Sequence, residues 1–383
     1  IIRHKNVKTF LPILSFVLLI SCSSISSQDN GVHFSDKIRG MNYTGPGRGP
    51  FGEEPFTSMK EIGGNFVALV PEAGLYQNTL ELRQVYDGDS SWYGETIEGV
   101  LEGVEQARKS GLKVMLKPHM EPSIDISGVG MERPTRDDTL GWMSYIEAVR
   151  GYVANIEYKT RGRVNWRGDL MVEDDDDWSI LAQSYEDYIL SLATMADTLD
   201  VELFCVGTEL KAMALEKPEY WVQLIGKIRE VYKGSLVYAA NWDSFDKIAF
   251  WDQLDYIGID AYFPLGDHQV PTVEETIEEW ETYKSRIQEL QSKKGKKVIF
   301  TEWGYESEEY AGKTPWGSEG VYNEEVQKNL YEGTFQSFWD EPWFGGVFIW
   351  RWSPNNEFGR GTYNFSPKDT EAQEVVEKWF NRN

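Results

Sequence analysis

Two apolar runs that each end near a glutamate constrain this sequence more than any other feature. The run 201–210 (VELFCVGTEL) contains Glu209, and the run 297–305 (KVIFTEWGY) contains Glu302. Nearly continuous apolar runs of this length are typical of strands that are buried on both faces in a parallel sheet. A carboxylate at the end of such a strand is costly to bury unless it is paired. Each glutamate is therefore either an ion-paired structural residue or part of an acid–base site.

The two runs belong to a series of eight apolar runs, which are separated by segments of helical periodicity and by glycines. The predicted strands are 37–43, 65–71, 112–120, 201–210, 235–242, 254–263, 297–305 and 344–352. Strands that alternate with helices in this way form a parallel sheet, and eight of them predict an α/β fold, the (β/α)8 or TIM barrel. Active sites of this fold form at the carboxyl ends of the strands. Glu209 and Glu302, after the fourth and seventh strands, are therefore expected to face one central pocket.

Two carboxyl groups that converge on one pocket suit the hydrolysis of a glycosidic bond. A retaining glycosidase needs one protonated carboxyl group to release the leaving group and one ionised carboxylate to attack the anomeric carbon. The pattern alone does not say which glutamate has which role.

Four short motifs add a family resemblance: 117–119 (KPH), 166–168 (WRG), 206–210 (VGTEL) and 301–305 (TEWGY). As a set they resemble glycoside hydrolase family 113, a family known for β-mannanases within a clan of retaining (β/α)8 glycosidases. The resemblance covers roughly residues 37–352. It implies that Glu209 is the general acid/base, that Glu302 is the nucleophile, and that an endo-β-1,4-mannanase works through a covalent glycosyl-enzyme intermediate.

The sequence departs from the clan pattern at two places. Most of the clan has asparagine before the acid/base glutamate, where its amide holds the sugar 2-hydroxyl, whereas this chain has Thr208. This resembles the family 113 variant and is compatible with mannan, because a mannoside carries its 2-hydroxyl axially. Residues 121–164 are an insertion relative to the family pattern, so the shape of the cleft does not follow from the resemblance.

Further polar and aromatic residues near the strand ends are predicted to bind substrate. They are His119, Trp166, Arg167, Asn241, Asp260, Tyr262, Trp350 and Trp352. The resemblance implies that Tyr262 hydrogen-bonds the nucleophile, although it could be a plain core tyrosine. Asp260 is either a sugar contact or a structural partner of a lysine or arginine. We expect the indole ring of at least one of Trp350 and Trp352 to form the floor against which the sugar residue at the cleavage site packs. The alternative is that both side chains only fill the top of the barrel as core residues.

The amino-terminal segment has the features of a targeting signal. Positive residues precede the apolar run 10–20, and then the sequence LISC at 19–22 resembles a bacterial lipobox. We predict a signal peptide over 1–21, lipidation of Cys22, a Ser-rich tether over 22–36 and a catalytic domain over 37–383. The protein would then be anchored in the bacterial cell envelope, at the outer membrane or cell surface. The alternative is an ordinary secretory signal.

Composition limits the partners and cofactors. A net charge of −24 argues against a nucleic-acid partner, so membrane association is expected through the lipid anchor only. Fifteen Trp and twenty Tyr can pack a core but also suit a polysaccharide or oligosaccharide substrate. None of the four histidines has ligand spacing, and Cys205 is expected to be a small buried hydrophobe, so we predict no metal and no cofactor. The acidic run 174–177 is predicted to be a solvated turn that caps a helix opening at Trp178; a calcium site is the alternative, although the run lacks the glycine turn and the alternation of an EF-hand loop. A monomer is expected.

Two other functions are compatible with the same residues. The first is a retaining β-glycosidase of another specificity, namely a β-mannosidase, a β-glucanase or a xylanase, because sequence defines fold and chemistry more readily than sugar identity. The second is a non-catalytic sugar-binding surface lipoprotein. Such a protein would keep the aromatic residues but would not need both glutamates at matched strand ends.

Overall fold

The computed structural model describes residues 34–44, 49–84, 93–135, 138–317, 320–353 and 365–382. The predicted signal peptide, Cys22 and most of the tether lie outside these residues. Within them there are eleven strands: β1 Ile38–Tyr43, β2 Phe66–Leu69, β3 Glu72–Tyr76, β4 Leu82–Gln84, β5 Lys113–Leu116, β6 His119–Ser123, β7 Leu203–Thr208, β8 Ser235–Asn241, β9 Ile257–Asp260, β10 Val298–Trp303 and β11 Phe344–Ile349. The α-helices of the same ranges are α1 Glu54–Glu61, α2 Ile97–Lys109, α3 Thr139–Asn155, α4 Asp175–Thr198, α5 Lys211–Glu216, α6 Pro218–Val231, α7 Val273–Lys294, α8 Glu324–Phe338 and α9 Glu371–Phe380.

Eight of the described strands close into a parallel barrel, which confirms the predicted (β/α)8 fold. Their order around the ring is β1, β11, β10, β9, β8, β7, β5, β2. Every residue of β7, β8, β10 and β11 is buried, as the apolar runs predict. One cluster of buried side chains, which includes Met115, Cys205 and Phe348, is separate from the larger cluster to which the helices contribute. Cys205 is thus a small buried residue, as predicted.

Local capping explains where the crossover helices begin. The carboxylate of Asp174 accepts hydrogen bonds from the backbone N–H groups of Asp176 and Asp177, so the acidic run caps α4, which begins at Asp175, three residues before the predicted start. Acidic residues in a first helical turn also interact favourably with the positive end of the helix dipole. Helix α7 begins with a capping box between Thr272 and Glu275, and its last residue is followed by Gly295, whose positive φ of 66° suits glycine.

A second sheet of three strands, absent from the sequence prediction, lies beyond two of the barrel strands. The expected single strand 112–120 is broken: β5 ends at Leu116 and β6 begins at His119. Pro118 lacks the N–H that a continuous ladder needs. Pro71 separates β2 from β3 in the same way, and β3 then pairs in parallel with β6 and antiparallel with β4. The break places Lys117 and His119 at the carboxyl rim of the barrel.

The segment 121–164, predicted as an insertion, contains helix α3. No residue of α3 is buried, and Leu140 and Met143 are 77% and 59% exposed. Among the residues that the structure describes, no helix is both apolar enough and long enough to span a membrane.

Candidate active site

The two glutamates lie at the carboxyl ends of two barrel strands that are three positions apart around the ring. Glu302 lies in β10, the seventh barrel strand in chain order, and Glu209 follows directly after β7, the fourth. Glu209 has a positive φ of 54°, and its N–H donates to the Ala239 carbonyl of β8 at 2.8 Å. A non-glycine residue in this region is strained, and the surrounding structure must hold it there.

Glu302 is buried, and donors contact both of its carboxylate oxygens. The ammonium of Lys117 is hydrogen-bonded to Oε1, and the Tyr262 hydroxyl donates to Oε2 at 2.8 Å. Lys117 Nζ also lies 3.1 Å from His119 Nε2 and 3.9 Å from the Asp260 carboxylate. The carboxylate therefore sits in a pocket of fixed donors, with a fully buried lysine as its closest partner.

These contacts favour the ionised form of Glu302. Burial alone would raise the pKa of its carboxyl group, but the positive charge of Lys117 and the donors around the carboxylate outweigh burial, so the pKa is lowered. Burial, together with the cations Arg167 and Lys117, holds the pKa of His119 well below its usual value. The imidazole is accordingly neutral, and Lys117 supplies the compensating charge.

The surroundings of Glu209 favour its protonated form instead. Its side chain is half-buried, and the Trp166 indole N–H donates to its Oε2 at a long 3.4 Å. Burial raises the pKa of the Glu209 carboxyl group, and the negative charge of Glu302 adds to that effect against the opposing charges of Arg167 and Lys117. One carboxyl group of the pair is thus held ionised, and the other is biased towards the protonated form.

Both glutamates line one cavity of about 530 Å³. The lining residues are Trp166, Glu209, Asn241, Trp242, Asp243, Tyr262, Glu302, Trp316, Trp350 and Phe365. Four of the predicted substrate-binding residues are thus brought to the cavity: Trp166, Asn241, Tyr262 and Trp350. The indole of Trp350 also stacks on the His119 ring, with ring centroids 6.0 Å apart.

Three other predicted residues are not among those that line the cavity. His119 is buried against Trp350 and the Lys117 ammonium. Asp260 is fully buried, accepts from the Thr301 hydroxyl at 2.7 Å and faces Lys117, which is the structural alternative considered for it. Arg167 forms an ion pair with Glu121 of β6.

Trp352 requires a correction, because the structure does not place it in the cavity lining. It is 1% exposed, and its indole N–H donates to Ser58 of α1 at 3.1 Å. The prediction relied on the alternation of side chains along a strand from Trp350 to Trp352. Strand β11 ends at Ile349, so that alternation no longer applies.

Sequence reasoning missed Lys117 as a functional residue, although its motif was recognised. The available signal was a lysine at the end of an apolar run, where an uncompensated charge would be costly. Asp243, Trp316 and Phe365, which also line the cavity, were missed as well, and Trp242 was recognised only as the end of the predicted strand 235–242. Among the described residues, no group of three or more His, Cys, Asp or Glu side chains could hold a metal ion.

In this (β/α)8 barrel, a cavity at the strand ends contains one carboxyl group that is biased towards the protonated form and one that is held ionised. This is the arrangement of a glycoside hydrolase. Residues 148–359 match the model of Glycoside Hydrolase Family 113. Because the match spans more than half of the sequence, the chain belongs to glycoside hydrolase family 113. A comparison with curated protein sequences finds no match.

Solved structures share the fold at low identity. The GH113 β-mannanase AaManA from Alicyclobacillus acidocaldarius, in complex with ManMIm, is 23% identical over 90% of this chain and 97% of its own, with a TM-score of 0.67. A GH113 β-1,4-mannanase is 21% identical over 91% of this chain and 100% of its own, with a TM-score of 0.65. The Ruminococcus gnavus β-glucuronidase aligns 91% of this chain with 50% of its own, at 15% identity and a TM-score of 0.52.

The contact between Lys117 and Glu302 predicts a specific change in pH dependence. In Lys117→Met, Glu302 loses the charge that lowers its pKa, so the acidic limb of kcat/KM should move up by about 1 to 3 pH units. Lys117→Arg keeps the charge and should leave that limb near its wild-type position. The thermal unfolding of each variant must be measured together with its pH profile, because breaking a buried ion pair lowers the free energy of unfolding by about 3–5 kcal/mol. Coincident acidic limbs in folded Lys117→Met and wild type would contradict the assigned role of Lys117.

Proposed function

We propose that this protein is a retaining endo-β-1,4-mannanase in which Glu302 is the nucleophile and Glu209 the general acid/base. The observation that carries the mechanism is the opposite environment of the two glutamates. Lys117 and Tyr262 hold Glu302 as a carboxylate, whereas burial and the negative charge of Glu302 favour a protonated Glu209. These are the two states that the first step of retaining hydrolysis requires.

In the first step, Glu302 attacks the anomeric carbon while Glu209 donates its proton to the departing glycosidic oxygen. The product is an ester between Glu302 and the sugar, together with the released chain. Glu302 is then neutral, so the negative charge that helped to raise the pKa of Glu209 is gone, while Arg167 and Lys117 still lower that pKa. Glu209 can now act as a base: it takes a proton from water, the water oxygen attacks the anomeric carbon, and Glu302 leaves as a carboxylate.

Two observations support mannan as the substrate. The family 113 structures that share the fold are described as a β-mannanase and a β-1,4-mannanase. In addition, Thr208 is buried, and its hydroxyl donates to the Pro118 carbonyl at 3.2 Å. The position before the acid/base therefore offers no amide to an equatorial 2-hydroxyl. Asn241, which lines the cavity from the end of β8, supplies an amide elsewhere.

A product-resolved assay tests the proposed function. The purified protein is incubated with β-1,4-mannan, β-glucan, xylan and manno-oligosaccharides, and the first product is followed by NMR before it mutarotates. We expect internal cleavage of mannan and a first product of β configuration. A first product of α configuration would refute retention. Activity confined to glucan or xylan would refute the sugar assignment while leaving the roles of the two glutamates intact.

A further inference from the structure

Two of the tryptophan rings in the cavity lining are nearly parallel to each other. Trp242 follows directly after β8, and Trp316 lies in the loop between β10 and α8. Their planes are 6° apart and their ring centroids are 5.8 Å apart. Both rings line the cavity that holds the two glutamates. Trp316 is 56% exposed, although it is among the largest apolar side chains.

Core side chains hold the ring of Trp242 in position beneath Trp316. Trp242 packs against the edge of Phe263 at 5.9 Å, and Phe263 is itself buried between Trp280 and Tyr283. Trp316 therefore lies on a ring whose position is fixed. Exposed apolar surface beside a cavity marks a binding site more often than an isolated exposed side chain does. A flat aromatic surface that is held in a fixed position can pack against the apolar C–H face of a pyranose ring. A solvated polar loop offers no such surface.

The order of the strands indicates which side of the scissile bond this surface serves. Glu302 on β10 attacks the anomeric carbon, so the leaving group departs on the opposite side, towards the acid Glu209 on β7. Strand β8 is the neighbour of β7 in the barrel, and Trp242 follows it. Trp350, by contrast, follows β11, next to β10, and covers His119 and Lys117 beside the nucleophile.

We propose that Trp242 and Trp316 form a platform that binds a neutral β-linked pyranose residue on the leaving-group side of the scissile bond. This inference rests on the proposed roles of Glu209 and Glu302 but does not depend on which sugar is cleaved. The platform holds the leaving chain in the first step. It also holds any sugar that replaces water as acceptor in the second step.

Substrates that differ only in the leaving group test the platform. β-1,4-Mannotetraose places sugar residues on the leaving-group side, whereas β-mannobiosyl fluoride has a leaving group that is a single atom. In Trp316→Ala we expect kcat/KM for mannotetraose to fall by on the order of tenfold, the scale of one lost aromatic contact. Turnover of the fluoride should be unchanged. Trp316→Tyr should recover most of the loss, because it restores an aromatic face.

The control variant is Tyr310→Ala, from the same loop, with a side chain that is 39% exposed and outside the cavity lining. It should behave as wild type on both substrates. Equal losses on mannotetraose and on the fluoride in Trp316→Ala would overturn the proposal, because the platform would then act on the nucleophile side. No loss on either substrate would overturn it as well. Trp242→Phe, which retains a ring against Phe263, should give a smaller loss with the same selectivity for mannotetraose.

The activity of the wild-type protein distinguishes a failure of the platform proposal from a failure of the proposed function. If it cleaves another β-glycan instead of mannan, the sugar assignment fails, and the same comparison is made with the tetrasaccharide and β-fluoride of that glycan. A wild type that cleaves mannan normally while Trp316→Ala shows no selectivity refutes the platform alone.

Discussion

Replacing Glu302 with alanine is expected to lower kcat by on the order of 10⁵-fold on every glycoside, the scale seen when a covalent nucleophile is removed. The reason is that no covalent intermediate can form, whatever the leaving group. Lys117 would lose its closest partner and become a buried charge without a carboxylate beside it, so thermal unfolding of the variant has to be measured alongside the rates. Steady-state rates on mannan and on an activated aryl β-mannoside should fall together. Glu302→Gln, which keeps the shape of the side chain, should be similarly inactive.

A trapping experiment assigns the nucleophile directly. A 2-deoxy-2-fluoro-β-mannosyl fluoride should form a stable ester with the wild-type protein, and peptide mass spectrometry should locate it at Glu302. With Glu302→Ala, added azide can take the nucleophile's place on an activated substrate, and the glycosyl azide should then have inverted configuration. A label at Glu209, or an azide product of retained configuration from this variant, would reverse the two roles.

The positions of the two glutamates could be predicted because local sequence determines them. A buried parallel strand requires an apolar run, and such a run ends where the chain meets solvent at the barrel rim. In 201–210 and 297–305 that end coincides with a carboxylate. The (β/α)8 closure followed from counting such runs, since eight parallel strands with helical crossovers have few alternative arrangements.

The partner of Glu302 could not be predicted in the same way. Lys117 is 185 residues away in sequence, and its contact depends on the break between β5 and β6. The prediction of one strand through 112–120 treated Lys117 as one more strand residue, without a role in the site. Only the closed barrel shows that it points at the nucleophile. Trp316 was missed for a related reason, because it lies in a loop whose course local pattern does not determine.

Trp352 shows the opposite error, in which a local rule was extended too far, and Asp260 has the structural role that the sequence left open as one of two alternatives. Period-2 alternation was applied to 350–352, but β11 ends at Ile349 and the chain turns so that Trp352 packs against α1. Asp260 does lie in a strand, and it is fully buried there against Thr301 and Lys117. A polar residue near a strand end is thus a candidate for the site, and burial decides whether it can reach a ligand.

Replacing Glu209 with alanine is expected to have an effect that depends on the leaving group. For mannan, whose departing oxygen needs a proton, kcat/KM should fall by about 10²–10⁴-fold, the usual contribution of a general acid. For 2,4-dinitrophenyl β-mannoside, whose leaving group departs without a proton, the first step should be nearly as fast as in wild type. The intermediate on Glu302 should then accumulate, because no base activates water. A burst of dinitrophenol followed by slow steady-state release is the measurement.

Azide distinguishes this role from a general loss of structure. Azide is already an anion, so in Glu209→Ala it needs no base to attack the accumulated intermediate. Added azide should therefore raise the steady-state rate, and the product should be a β-mannosyl azide of retained configuration. Glu219→Ala, which removes an exposed carboxylate from α6, should show neither the burst nor the azide effect. Equal losses on mannan and on the dinitrophenyl glycoside, without azide rescue, would remove Glu209 from the acid/base role. Because Lys117, Tyr262 and Glu302 are untouched in this variant, such a result could not be attributed to the nucleophile.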